Sequence, residues 1–122
     1  DDGDLDIVTN DFGGSPMVLK SNLGDQHPLH FLKVHLVGND SNRDGIGSMV
    51  EIKIGNRTLL SVHDGKSGYL SQSRMPLYFG LGDADTIDQI EVRWPSGSRQ
   101  IIKGPIQSNQ LFTIHEDPED DN

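Results

Sequence analysis

Apolar and polar residues alternate along most of this chain. Lys33 and His35 separate Leu32, Val34 and Leu36; Glu51 and Lys53 separate Val50, Ile52 and Ile54; Glu91 and Arg93 separate Ile90, Val92 and Trp94. A period of two sends successive side chains to opposite faces, so each run predicts a strand with one buried side. Shorter runs at 58–62, 77–79, 99–102 and 111–114 follow the same pattern. Turn formers lie between them: Gly38-Asn39-Asp40, residues 42–47, Gly55-Asn56, Asp64-Gly65, residues 80–85 and 95–97. Each supplies a positive-φ position or a side chain that bonds its own backbone. One apolar and one polar face per strand predicts an all-β fold, an antiparallel β-sandwich with little or no helix. Phe79 and Trp94 are expected in its core.

The first residues do not fit that sandwich. Residues 1–22 read as an orphan β-hairpin, with short strands at 7–9 and 16–20 around Gly13-Gly14. A linker at 23–28 follows, then the sandwich at 29–115 and an acidic tail at 116–122. An isolated hairpin is marginal in water, and its backbone donors and acceptors need partners. It is expected to be without order, to fold back on its own sandwich, or to add to the sheet edge of another copy. In strand addition the main chain supplies affinity and alternate side chains supply specificity. Ile7, Met17 and Leu19 are the expected anchors.

Composition narrows the function classes. The chain has 122 residues and a net charge of −9. Asp1, Asp2, Asp4 and Asp6 at one end, and Glu116, Asp117, Glu119, Asp120 and Asp121 at the other, account for the whole excess. No basic stripe exists to release counterions, so nucleic acid is not an expected partner. No stretch approaches the roughly 18–20 apolar residues of a membrane-spanning helix. The absence of cysteine excludes disulfides, thiol catalysis and thiolate metal sites.

Two signatures carry a resemblance. Asp2-Gly3-Asp4-Leu5-Asp6-Ile7-Val8, followed by Asn10 and Phe12-Gly13-Gly14, resembles part of an FG-GAP (VCBS-type, integrin β-propeller) repeat. That resemblance implies a Ca²⁺ loop, with Asp2, Asp4 and Asp6 as metal ligands. Short carboxylates on a tight turn suit a hard cation that takes roughly six to eight oxygens. Only part of that loop is present, so completion falls to water, Asn10 or Asp11, or the acidic tail of a neighbouring copy. The second signature comprises Asn39, Ser41-Asn42-Arg43-Asp44-Gly45-Ile46-Gly47, Gly68-Tyr69-Leu70-Ser71-Gln72-Ser73, Phe79-Gly80-Leu81-Gly82 and Trp94-Pro95-Ser96-Gly97. In that order and spacing it resembles the ASPIC/UnbV domain of cartilage acidic protein and its relatives. The resemblance implies a non-enzymatic, extracellular or cell-surface, calcium-associated β-rich module.

Other candidate chemistry is weaker. His63-Asp64 with Ser61 or Ser67 offers the residue types of a triad, but no Gly-x-Ser-x-Gly elbow occurs, and neighbours in sequence rarely supply triad geometry. The histidines at 27, 30, 35, 63 and 115 show no helical pairing for a metal. Asp83, Asp85 and Asp88 follow Gly82 as a polar turn. Arg43 is expected to brace its loop, through Asp44 or through a backbone carbonyl. Asn39-Asp40-Ser41 and Asn56-Arg57-Thr58 fit the N-glycosylation pattern, with Asn39 and Asn56 as acceptors in a secreted glycoprotein. Two functions follow. One is adhesion or ligand binding as part of a larger surface protein. The alternative is a self-assembling subunit of an extracellular filament, joined head-to-tail by N-terminal strand addition and calcium. The partner is a protein in both cases, and in the second it is a further copy of this chain.

Overall fold

The computed structural model describes residues 4–118. These form nine strands and one helical turn: β1 (Ile7–Thr9), β2 (Met17–Leu19), α1 (Leu23–Gln26), β3 (His30–Val37), β4 (Met49–Ile54), β5 (Arg57–Val62), β6 (Leu77–Gly82), β7 (Thr86–Arg93), β8 (Arg99–Gln107) and β9 (Gln110–His115). The segment read as a linker therefore contains α1.

Two sheets make the sandwich, one ordered β6-β3-β9 and the other β5-β4-β7-β8. The alternation dictates which side chains meet between them. Leu32, Val34, Leu36, Phe79, Leu81 and Ile114 from one sheet pack against Val50, Ile52, Ile54, Ile87, Ile90, Val92 and Ile106 from the other, and Trp94 closes one end. Burying such side chains stabilises by about 1.5–3 kcal/mol each before chain entropy is counted.

The sandwich departs from an all-antiparallel one in a single pairing. β9 runs parallel to β3, with Val34 opposite Phe112 and Leu36 opposite Ile114. A hairpin turn forces its two strands antiparallel, whereas β3 and β9 are joined through most of the chain and carry no such constraint. Consequently the end of β9 emerges beside the end of β3. β8 also runs further than the expected 99–102, continuing through Gly104 and Pro105. Proline is tolerated on an edge strand, and β8 is one. Gly104 faces a bulge in β7, where an added Cβ would lie 2.1 Å from the Ile87 carbonyl oxygen, so no larger residue fits.

β1 and β2 pair antiparallel as a hairpin, with Ile7 opposite Leu19, Val8 opposite Val18 and Thr9 opposite Met17. Every residue of both strands is exposed.

Candidate functional site

Three places collect the residues that sequence singled out. The first is the hairpin. Its register puts Ile7, Met17 and Leu19, the expected anchors, on one face, and Val8 and Val18 on the other. Phe12 at the turn is fully exposed, and Leu5 and Leu23 extend the apolar surface at the open end. Two aspartates hold this element in shape. Asp6 Oδ1 accepts a hydrogen bond from Ser21 N at 2.9 Å, and both carboxylate oxygens of Asp4 accept from Gly24 N at 3.1 Å. They tie the strand before the hairpin to the chain after it.

A divalent cation would need several more oxygens than these. Among the described residues no group of three His, Asp or Glu side chains is gathered for a metal. Asp2, the third ligand expected from sequence, lies outside the described residues. Asp11 is occupied locally, its Oδ1 accepting from Phe12 N at 2.8 Å.

The second place is a cleft of about 270 Å³ at the upper end of β3, lined by His35, Leu36, Asp44, His63, Arg74 and Met75 among others. β6 begins at Leu77, opposite Val34, so the sheet stops short of Leu36 on that side. The gap is bordered by two loops that sequence had singled out separately. Asp44, from residues 42–47, forms an ion pair at 2.7 Å with Arg74, just past the Gly68-Tyr69-Leu70 segment. The expected Arg43–Asp44 brace is replaced by this longer-range one, while Arg43 offers its carbonyl to Gly38 N. Gly45, at φ +65°, turns the first loop against Leu36, where an added Cβ would come within 2.8 Å of the leucine Cβ. The second loop displays Tyr69 and Leu70 almost fully to solvent, Leu70 in the left-handed region at φ +54°. A non-glycine residue held there costs about 1–2 kcal/mol.

The third place is a buried carboxylate. Glu116, which its composition grouped with the acidic tail, is buried at the end of β9. Its Oε2 accepts from Asn39 N at 2.8 Å and Ser41 N at 2.7 Å; its Oε1 accepts from Ser41 Oγ at 2.7 Å and Ser96 Oγ at 2.6 Å. Burial alone would push this carboxyl up, but the combined donation from Ser96, Ser41 and Asn39 outweighs it and lowers the pKa to about 2. Asn39, Ser41 and the Trp94-Pro95-Ser96-Gly97 turn therefore build a nest around Glu116. Phe112, Ile114 and Glu116 share one face of a period-two run, which was the signal available in the sequence.

Glu91 is the counterpart on the outer face of the other sheet. Arg99 grips it with two hydrogen bonds of 2.7 Å, and Arg93 adds one of 3.0 Å. The Arg99 hydrogen bonds, opposed by burial and helped by Arg93, lower its pKa to about 2.

A family model described as ASPIC and UnbV matches residues 38–121, more than half of the chain. This chain belongs to the ASPIC and UnbV family. The matched span contains both loops that border the cleft and the whole Glu116 nest, whereas β3, the central strand of its sheet, precedes it. No curated protein and no solved structure matches.

The remaining candidates are dispersed. Asp64 Oδ1 accepts from Lys66 N at 3.0 Å, and Ser67 Oγ bonds Ser71 Oγ at 3.1 Å, so these side chains serve their own loop. Asp88 Oδ2 accepts from Gly55 N at 2.6 Å, while Asp83 lies 3.9 Å from Arg57. His30 Nδ1 is 2.9 Å from Ser108 Oγ. Asn39 and Asn56 are both exposed, but the Ser41 hydroxyl of the first glycosylation pattern is engaged by Glu116. No helix among the described residues is long and apolar enough to cross a membrane.

Proposed function

We propose that this ASPIC and UnbV chain is a non-enzymatic contact module of an extracellular or cell-surface protein, and that the β1–β2 hairpin is its working element. One observation carries this reading: a two-stranded ribbon exposes apolar side chains on both of its faces. A strand apolar on both sides belongs inside a layered arrangement, because one solvated face would select polar residues there. Patches of that kind mark protein contacts. The partner is another copy of the chain, in a head-to-tail extracellular assembly.

Calcium acts on the same element. Asp4 and Asp6 supply hard oxygen donors at the base of the hairpin, and Asp2 precedes them in the sequence, in the pattern that resembles an FG-GAP loop. Ca²⁺ completed by oxygens from water or from a neighbour stiffens the ribbon and lowers the repulsion among its carboxylates. Asn56, exposed with its Thr58 also exposed, is the favoured glycan acceptor.

A second reading has its own observation. Tyr69 and Leu70 stand exposed on the loop that leads to Arg74 and the cleft it shares with His35 and His63, which favours adhesion or ligand binding to a different protein there. Hydrogen exchange on the full chain separates the two. Protection that rises with protein concentration at 7–9 and 17–19, and more strongly in calcium than in chelator, is the expected result. Exchange at those amides that is independent of concentration in both conditions refutes self-contact through the hairpin.

A further inference from the structure

The hairpin needs a receiving surface, and the four edge strands of the sandwich are not equally open. β9 has its His115 carbonyl taken by Gln100 Nε2 at 3.0 Å. β6 carries Gly80 and Gly82, and its Leu81 carbonyl is taken by Arg57 at 2.9 Å. β8 carries Lys103 and Pro105, two residue types that natural edges use against pairing. β5 has neither lysine nor proline.

The backbone of β5 is also aimed outward. The two-residue Gly55-Asn56 turn makes Ile54 and Arg57 a mutually hydrogen-bonded pair, and alternate pairs follow at Ile52 with Leu59 and Val50 with Ser61. Thr58 and Leu60 fall between them, so their N–H and C=O groups point to the free edge. Their side chains share the outer face with Val62; Leu60 is 58% and Val62 49% exposed. An apolar edge strand with outward backbone groups is a template for strand addition.

Resting on the reading that the hairpin contacts a second copy, we propose that β1–β2 of one copy adds to the β5 edge of the next. The four-stranded sheet is thereby extended across the junction. Two features fit donor to acceptor. A three-residue strand spans the Thr58–Leu60 stretch, where the outward groups lie. Apolar side chains on the hairpin meet Leu60 and Val62. Within one copy the hairpin and β5 are both uncovered, so donor and acceptor are separate patches of one surface. A contact between different patches is heterologous and propagates into a ring or an open filament.

Sedimentation velocity on full-length chains tests this with a donor variant, Met17→Asp with Leu19→Asp, and two acceptor variants, Leu60→Lys and Thr58→Lys. Both acceptor positions are exposed, and thermal melts confirm that each variant keeps its fold. The expected result is a ladder of oligomers for the parent and monomer for every variant alone. An equimolar mixture of donor and acceptor variants then forms a heterodimer and nothing larger, because one intact donor meets one intact edge. If both acceptor variants assemble like the parent while the donor variant does not, the β5 assignment is overturned and the hairpin reading survives. If the parent is monomeric at every concentration, both are overturned.

Discussion

Glu116 shows how one residue ties the family motifs together. Its carboxylate joins the end of β9 to residues 39–41 and to the Ser96 turn. Removing it would leave these part-buried donors without their charged acceptor, at a cost of about 1–3 kcal/mol. Its pH dependence follows from the lowered pKa. The unfolded chain takes up a proton near the ordinary value of 4.5, whereas the folded chain holds the charge to about 2. Stability from this group is thus fully present above 4.5 and lost as pH falls toward 2. Glu91 acts in the same direction over the same window. The parent is expected to lose melting temperature steeply between pH 4.5 and 2. Glu116→Gln should melt lower at neutral pH and lose less over that window; equal slopes for parent and variant would contradict the assignment. Ser48 makes the opposite point. It is fully buried, and its hydroxyl has no hydrogen-bond partner among the described residues. Ser48→Ala is therefore expected to raise the melting midpoint modestly, by the equivalent of about 1 kcal/mol, and a lowered midpoint would show that the hydroxyl is satisfied.

At the scale of elements, the sequence was informative where pattern is local. β3, β4 and β7 alternate cleanly, and the structure has them where the period of two places them. The hairpin was readable too, from two short apolar runs about Gly13-Gly14. The far end of β8 was hidden, because Gly104-Pro105 looks like a turn unless the strand is known to be an edge. The parallel β3–β9 pairing left no local trace, since its partners are brought together only by the fold. Arg74 was missed for the same reason: its partner Asp44 lies across the cleft, and the adjacent Arg43 was the obvious candidate. Glu116 was visible in the alternation of Phe112 and Ile114 but was masked by the acids that follow it.

The whole molecule combines a closed body with an uncovered ribbon. Two sheets bury a single core, two carboxylates strap its faces, and the excess negative charge sits toward the chain ends. Most of the matched family motifs serve that body: they form the Glu116 nest, the turn at Gly45 and the Asp44–Arg74 pair. The exposed apolar ribbon β1–β2 precedes the matched residues, whereas the β5 edge lies within them. Under the proposed function, the hairpin joins copies of this chain. Negative-stain electron microscopy of the full chain, in calcium and in chelator, beside the Met17→Asp, Leu19→Asp variant, tests it most directly. Linear or ring-shaped assemblies of the parent in calcium, absent from the variant, are the predicted result. Single particles of monomer size for the parent in every condition would contradict it.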